Sequence, residues 1–360
     1  MTDSKKVFAV VDCTIPINTR NQKIINSLKA AYENAEIHVI TWNREGLQLI
    51  GDKYFHAYEC KAAYADVKAK LLGLLGFKKY IHRVLDDISA DVIIASHWSN
   101  LMLVVGSKVK RQILIYENLD IPTGGFLLRN ISRFIEGWCI RKVDLIIHAS
   151  RFFRPLYRQP VPQIILENKP AFEPNRKIGP TGKPLRVAFV GSIRYRDILM
   201  NLVDALSNDP NYELYFHGGG EDLVVMKDYC KDSRNVFFTG KYDYSNVVSL
   251  YHQSDIIWAG YPNKDYNVIY AISNKFHESL YVGIPCVYSL NTKLADFVKR
   301  KNIGFVVDPY SSKEIKKLFN NIVTGQVDIE GVKKSMADYQ LNETTWDEDF
   351  KQVLNFLDKY

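Results

Sequence analysis

Short runs of apolar, largely β-branched residues recur along the chain, separated by helix-length stretches. In the first half they cover residues 7–11, 37–41, 92–95, 113–116, 145–148 and 164–166. In the second half they cover 187–190, 213–216, 236–239, 256–259, 285–288 and 304–307. Continuous apolar runs, as opposed to strict alternation, predict strands buried on both faces. Strand–helix–strand repetition then predicts parallel sheets with helices on both sides, the doubly wound Rossmann-like α/β class. Between the two sets lie Pro170, Pro174, Pro180 and Pro184 with Gly179 and Gly182. Proline fixes φ and removes a donor, so this stretch predicts a linker. The expected division is a first domain over 1–170, a linker over 171–184 and a second domain over 185–340, with a C-terminal segment over 341–360. Two such domains facing each other are expected to leave a cleft between them, with ligands beyond the carboxyl ends of the strands. In the last segment Trp346, Phe350, Val353, Leu354 and Leu357 have helical spacing, and Thr344 or Thr345 could cap that helix.

The 360-residue length suits two domains, and 47% apolar with 24% charged residues is globular composition. No run is long enough for a membrane span, and the polar start of the chain lacks a secretory h-region, so the expected location is the cytoplasm. The five cysteines stand singly, without C-x-x-C spacing, which argues against a disulfide framework and against a zinc site. The net charge of +7 is uneven: residues 1–170 hold 24 Lys and Arg against 16 Asp and Glu. A basic first half suits an anionic partner, including the inner face of a cell membrane. Residues 68–85 (KAKLLGLLGFKKYIHRVL) mix leucines with basic side chains and are a candidate for lying on such a surface, or else a core helix with a basic edge. Nucleic acid is not expected as a partner, because the basic residues form no stripe interleaved with aromatics.

Three signals in the second half carry chemistry. In residues 273–289 (SNKFHESLYVGIPCVYS), Ser273 and Asn274 open a helix that Gly283 stops. The start of such a helix can hold a phosphate through Asn274, Lys275 and Phe276, and Glu278 one turn inside could accept from a ribose diol. In residues 187–197 (VAFVGSIRYRD) a buried strand runs into Gly191 and Ser192, followed by Arg194 and Arg196, whose guanidinium forks suit a diphosphate. Because these two arginines alternate, one of them is expected to point into the site. The third signal is the glycine turn at 217–220 (HGGG) with residues 235–242 (NVFFTGKY), which end in Lys241 and Tyr242. There is no G-x-G-x-x-G opening the first strand and no G-x-x-x-x-G-K-[ST], against a nicotinamide dehydrogenase and against a P-loop ATPase.

Taken in order with residues 250–255 (LYHQSD), these signals resemble the family 4 glycosyltransferases, particularly those of bacterial polysaccharide synthesis. The likeness extends to residues 18–23 (NTRNQK), 116–120 (YENLD) and 143–150 (VDLIIHAS) in the first half. It implies the glycosyltransferase-B fold, with a nucleoside diphosphate sugar of UDP or GDP in the second domain. It also implies a glycan or lipid-linked acceptor in the first domain, transfer with retention, no cofactor, no metal, and a C-terminal helix that returns to the first domain. Gly191, Ser192, Lys241, Tyr242, Asn274, Lys275, Phe276 and Glu278 are the expected donor-binding residues, and Asn18 and Arg20 the acceptor-side ones. Arg194 and Arg196 would neutralise the leaving diphosphate, while Asp120 and His97 are the candidates for assisting the acceptor. One departure stands out: the family's first glutamate falls at Tyr270, leaving Asp265 or Asn267 as candidates for the sugar contact. A nucleotide-sugar 2-epimerase and an inactive glycosyltransferase-like binding subunit are the alternative readings on the same fold.

Overall fold

The computed structural model of the chain describes residues 6–48, 52–61, 67–107, 112–174 and 182–360, with the backbone alone for 67–71. Residues 175–181 of the expected linker, with Pro180 and Gly179, lie outside the described residues, as do the side chains of Lys68 and Lys70. The chain divides into two compact units, one formed by Met1–Glu167 with Asp347–Tyr360 and one by Asn168–Trp346.

The first unit runs β1 (Val7–Val11), α1 (Thr19–Ala31), β2 (Glu36–Asn43), β3 (Phe55–Glu59), α2 (Val67–Ile88), β4 (Val92–Ser96), α3 (Trp98–Val104), β5 (Ile113–Asn118), α4 (Phe126–Ile140), β6 (Leu145–His148) and β7 (Gln163–Ile165). Its seven strands lie in the order β3-β2-β1-β4-β5-β6-β7, and all of the pairings are parallel. The second unit runs β8 (Leu185–Val190), α5 (Arg196–Leu206), β9 (Tyr212–His217), α6 (Leu223–Tyr229), β10 (Val236–Gly240), α7 (Val247–His252), β11 (Ile256–Ala259), α8 (Tyr266–Tyr270), α9 (Asn274–Val282), β12 (Cys286–Ser289), α10 (Lys293–Lys301), β13 (Phe305–Val307), α11 (Ser312–Val323) and α12 (Ile329–Leu341). Its six strands are likewise parallel, in the order β10-β9-β8-β11-β12-β13. Finally α13 (Trp346–Leu357) joins the first unit, where Lys6 Nζ donates to the Leu357 carbonyl and Tyr32 donates to Asp358 at 2.8 Å.

Every apolar run identified in the sequence falls on one of these strands. The cores are made by their buried faces: Phe8, Val10, Ile93, Leu114 and Ile146 in one sheet, Val187, Phe216, Ile257 and Val287 in the other. In an open parallel sheet, the strand order reverses direction at one place, and ligands collect beyond the carboxyl ends there. That place lies between β1 and β4 in the first sheet, and between β8 and β11 in the second.

Burial of a polar strand residue gives the first unit a pH dependence. His148 on β6 is fully buried, with Nδ1 facing the Asn118 amide nitrogen at 3.0 Å and Nε2 facing Gln163 Oε1 at 2.9 Å. That pattern assigns the proton to Nε2 and leaves Nδ1 accepting. Burial lowers the imidazole pKa to about 4. The unfolded chain, with an ordinary histidine, therefore binds a proton first as pH falls below about 6.5. Stability present at neutral pH is expected to be lost between pH 6.5 and 4, by about 3 kcal/mol at the lower end. Urea unfolding at pH 7 and pH 4.5 measures it; an unchanged pH dependence in His148→Gln would show that another group is responsible.

Candidate active site

The second unit assembles its site at the carboxyl ends of β8 and β11, with the head of α9 beside them. After β8 the chain enters Gly191 at φ 140°, a region in which a side chain is strained. A Cβ at Gly191 would stand 3.1 Å from Lys275 Nζ, so the turn and the lysine are immediate neighbours. The glycine turn after β9 is fitted against the same loop. A Cβ on Gly218 would fall 1.9 Å from the Gly191 carbonyl oxygen, and one on Gly220 would fall 2.2 Å from that of Ile193. The Gly191 amide donates to the His217 carbonyl and the Ile193 amide to the Gly219 carbonyl, which locks the two turns together.

Lys275 is the second residue of α9 and is only 6% exposed. Its ammonium donates to the Tyr261 hydroxyl at 2.8 Å and lies 4.6 Å from the centre of the Phe189 ring and 5.3 Å from that of Tyr261. Among the described residues no carboxylate pairs with it. Tyr261 follows β11, where its amide donates to Ser289 Oγ and its carbonyl accepts from the same hydroxyl. The ring of Tyr195 meets Tyr261 edge-on at 6.2 Å, and Arg194 stacks over Tyr195 at 4.9 Å. An aromatic ladder thus connects Arg194 to the lysine. Arg196 goes elsewhere: it heads α5, its amide donates to Asp222, and its guanidinium lies 3.7 Å from Asp197.

Glu278 lies one turn further along α9, buried with Lys275. Its two oxygens accept from Tyr244 at 3.0 Å and Tyr251 at 2.7 Å. Each carboxylate oxygen keeps a second lone pair for another donor. Tyr242, whose pKa burial and the neighbouring Glu278 and Tyr261 push up to about 12, faces the same carboxylate. Lys241 is exposed and passes beside Gly219, and Ser192 is exposed at the tip of the first turn. Ser273 precedes α9 with a buried hydroxyl that has no hydrogen-bond partner among the described residues, and Asn274 accepts from the Asn168 side chain at 3.0 Å.

Two expectations for this unit are corrected. Phe276 does not offer itself to a ligand: its ring is buried against Tyr288 and Phe297, and its amide donates to the Ser273 carbonyl. Residue 276 sits about 100° around the helix from 275, which sends it into the core, whereas 275 and 278 share a face. Asp265 is the N-cap of α8, accepting from the Asn267 and Val268 amides, so its carboxylate and the Asn267 backbone serve the helix. Tyr270 ends that helix with its ring edge-on to Tyr266.

In the first unit the polar cluster gathers beyond β1, β4 and β5. Asp12 accepts from the amide of Asn18 and the side chain of Asn21 through one oxygen, and from Thr14 through the other. Asn18 is exposed and caps α1 by accepting from the Arg20 amide. Arg20 is not a solvated loop residue: it is buried in the first turn of α1 in an ion pair with Glu117, whose pKa burial raises. His97 caps α3 from a left-handed backbone at φ 74°, with Nδ1 2.9 Å from Ser99 Oγ. Strain of that kind on a non-glycine residue commonly marks a functional position. Burial lowers the His97 pKa, and the facing carboxylates of Asp120 and Asp12 oppose the shift without cancelling it. The imidazole is therefore neutral at pH 7, with Asp120 within electrostatic reach.

The sequence reading missed Tyr261, Tyr244, Tyr251 and Glu117. Tyr251, inside the 250–255 motif, and Glu117, inside residues 116–120, lay in stretches already singled out; Tyr261 and Tyr244 carried no such signal.

Residues 172–339 match the family described as glycosyl transferases group 1. No curated protein matches the sequence. Among solved structures, sucrose-phosphate synthase from Thermosynechococcus elongatus aligns with a TM-score of 0.76 at 12% identity, covering 99% of each chain. HepE from Anabaena, solved with UDP, aligns at 0.70 with 14% identity, covering 99% of this chain and 100% of its own. WaaG, a glycosyltransferase involved in lipopolysaccharide biosynthesis, aligns at 0.68 with 14% identity over 96% of this chain and 98% of its own. At such identities the structural likeness speaks for the fold, and the family match speaks for the domain. The second unit is accordingly a glycosyltransferase domain of group 1, in a chain that has the glycosyltransferase-B fold of two Rossmann-like units.

Proposed function

We propose that the chain transfers a sugar from a nucleoside diphosphate sugar to a hydroxyl of a glycan or lipid-linked acceptor in the synthesis of a cell-surface polysaccharide. The observation that carries this reading is Lys275, a nearly buried ammonium with a phenol and two aromatic faces around it and no carboxylate among the described residues. A buried cation is costly unless an anion completes its shell. A pyrophosphate beside the Gly191 turn would do so, with the first amides of α9 aimed at it and Arg194 available on the solvent side. Glu278 would hold the ribose, with Tyr242 beside the nucleoside. HepE was solved with UDP and with UDP-glucose, which makes UDP the first nucleotide to try.

In the proposed step the acceptor oxygen bonds to the anomeric carbon as the bond from that carbon to the diphosphate breaks. The electron pair leaves with the diphosphate, and an oxygen of that group takes the acceptor proton on the same face, giving retention. Lys275, Arg194 and the helix terminus would carry the developing charge without a metal, a contribution that is often the largest in catalysis. We assign acceptor contacts to Asp120 and His97 in the first unit.

A thermal-shift panel of UDP, GDP and their sugars tests the reading. Saturation with the right nucleotide sugar should raise the melting temperature by about 5 °C, equally with and without EDTA. No response to any nucleoside diphosphate would sink it.

A further inference from the structure

Helix α4 of the first unit turns most of its large apolar residues outward. Leu127, Ile131, Phe134 and Trp138 follow one another at i, i+4, i+7 and i+11, which places them on a single stripe. They are 70%, 48%, 78% and 56% exposed, and Phe126 and Leu128 extend the apolar surface at the start of the helix. The face turned inward holds Glu136 together with Cys139 and Ile140. There Glu136 is buried and accepts from the Tyr116 and Tyr157 hydroxyls at 2.7 and 2.6 Å, while Arg133 bonds to Glu136 and to the Leu156 carbonyl. The helix is thus fastened by a carboxylate and a guanidinium with Cys139 and Ile140 at its end, and its leucines and aromatics are left in water. An exposed apolar face of this extent marks a surface that another phase or molecule covers.

The charges around it say which. Arg129 reaches back over the Phe126 ring, and Arg141 and Lys142 follow Trp138. Between Asp120 and Asp144 the sequence has one carboxylate, Glu136, and it is buried. Cations therefore follow the end of the stripe at Arg141 and Lys142, and the stretch has no exposed anion. At 15 residues the helix is about 22 Å long, short of a span, and among the described residues no helix is long and apolar enough to cross a membrane. An apolar stripe with cations at its end and a tryptophan fits a helix that lies in the plane of a bilayer surface.

We propose that α4 docks this protein on anionic phospholipid, with Leu127, Ile131, Phe134 and Trp138 entering the headgroup–acyl boundary and Arg141 and Lys142 meeting the lipid phosphates. By contrast α2, the other basic and leucine-rich helix, buries Phe77, Ile81 and Leu85 and exposes only Leu72 and Leu75 among its described leucines. The start of α4 follows Asp120 by a few residues, at the end of the sheet that carries His97. If the transferase reading holds, α4 brings the lipid surface to the acceptor-side residues; lipid docking itself does not depend on that reading.

Sedimentation with vesicles of 30% phosphatidylglycerol in phosphatidylcholine, and with phosphatidylcholine alone, tests the docking. The full chain should bind the anionic vesicles at least tenfold more tightly, and Leu127→Gln with Phe134→Gln should lower that binding at least tenfold. Arg141→Gln with Lys142→Gln should remove the preference for anionic lipid while leaving circular dichroism unchanged. Equal sedimentation of all variants, or none by the parent chain, would overturn the proposal. So would a lipid-free dimer that the Leu127/Phe134 variant dissolves, which would assign the face to a second copy. Because the thermal response to UDP sugars reads the second unit alone, failure of docking and failure of the transferase reading are distinguishable.

Discussion

Lys275→Met is expected to cost the enzyme about a hundredfold or more in kcat/KM and at the same time to make the ligand-free protein more stable. The two effects have one cause. The ammonium is withdrawn from water beside Phe189 and Tyr261 without an anionic partner in the described structure, so the folded state bears part of its desolvation cost. Methionine fills a similar volume, restores apolar contact and releases that cost, for a gain on the order of 1–4 kcal/mol. The same change removes the cation that a diphosphate would meet at the Gly191 turn. Loss of a preorganised donor at a developing charge commonly costs 10²–10³ in rate, in round figures. Melting temperature and steady-state kinetics on the same preparation check both halves. A variant that melts lower and turns over normally would make Lys275 a structural residue and remove the basis of the proposed donor site.

Glu278→Gln is expected to raise the donor KM by about tenfold to a hundredfold with a smaller change in kcat. A charge-assisted hydrogen bond to a diol hydroxyl is worth roughly 1.5–3 kcal/mol, and binding common to ground and transition states appears in KM. Glutamine is the informative substitution, because it keeps an acceptor for one of the two tyrosines. Alanine would leave the Tyr244 and Tyr251 hydroxyls without their acceptor, and Tyr251 is completely buried. An unsatisfied buried hydroxyl costs about 1–3 kcal/mol, so a KM change in that variant would mix binding with unfolding. Initial rates over a range of donor concentration, with thermal melts as a control, decide the matter. An unchanged donor KM would leave Glu278 as an anchor for the two tyrosines and nothing more.

The central strands were legible because a strand covered on both faces is apolar at nearly every position, and such runs stand out without an alignment. The strand that escaped, β3, is the edge of its sheet: Phe55, His56, Ala57 and Tyr58 are only half-buried, and nothing in their pattern separates them from a loop. Helix α9 was readable from Ser273 and Gly283 because capping is local chemistry. What the sequence could not show is which side chains converge from a distance. Tyr261, Tyr244 and Tyr251 reach α9 across 14, 34 and 27 residues, and Glu117 meets Arg20 across 97. The choice between Arg194 and Arg196 depended on where α5 begins, a matter of one residue. For Phe276 the signal is local: helical geometry turns that position away from Lys275 and into the core.

The first unit is completed by residues 347–360, which are synthesised after the whole of the second. Until residues 347–360 are made the first unit lacks α13, so that Lys6 and Tyr32 wait for Leu357 and Asp358. Completion of the unit made first is thus timed to the arrival of a segment made later, whose Phe350, Val353 and Leu357 are buried once it docks.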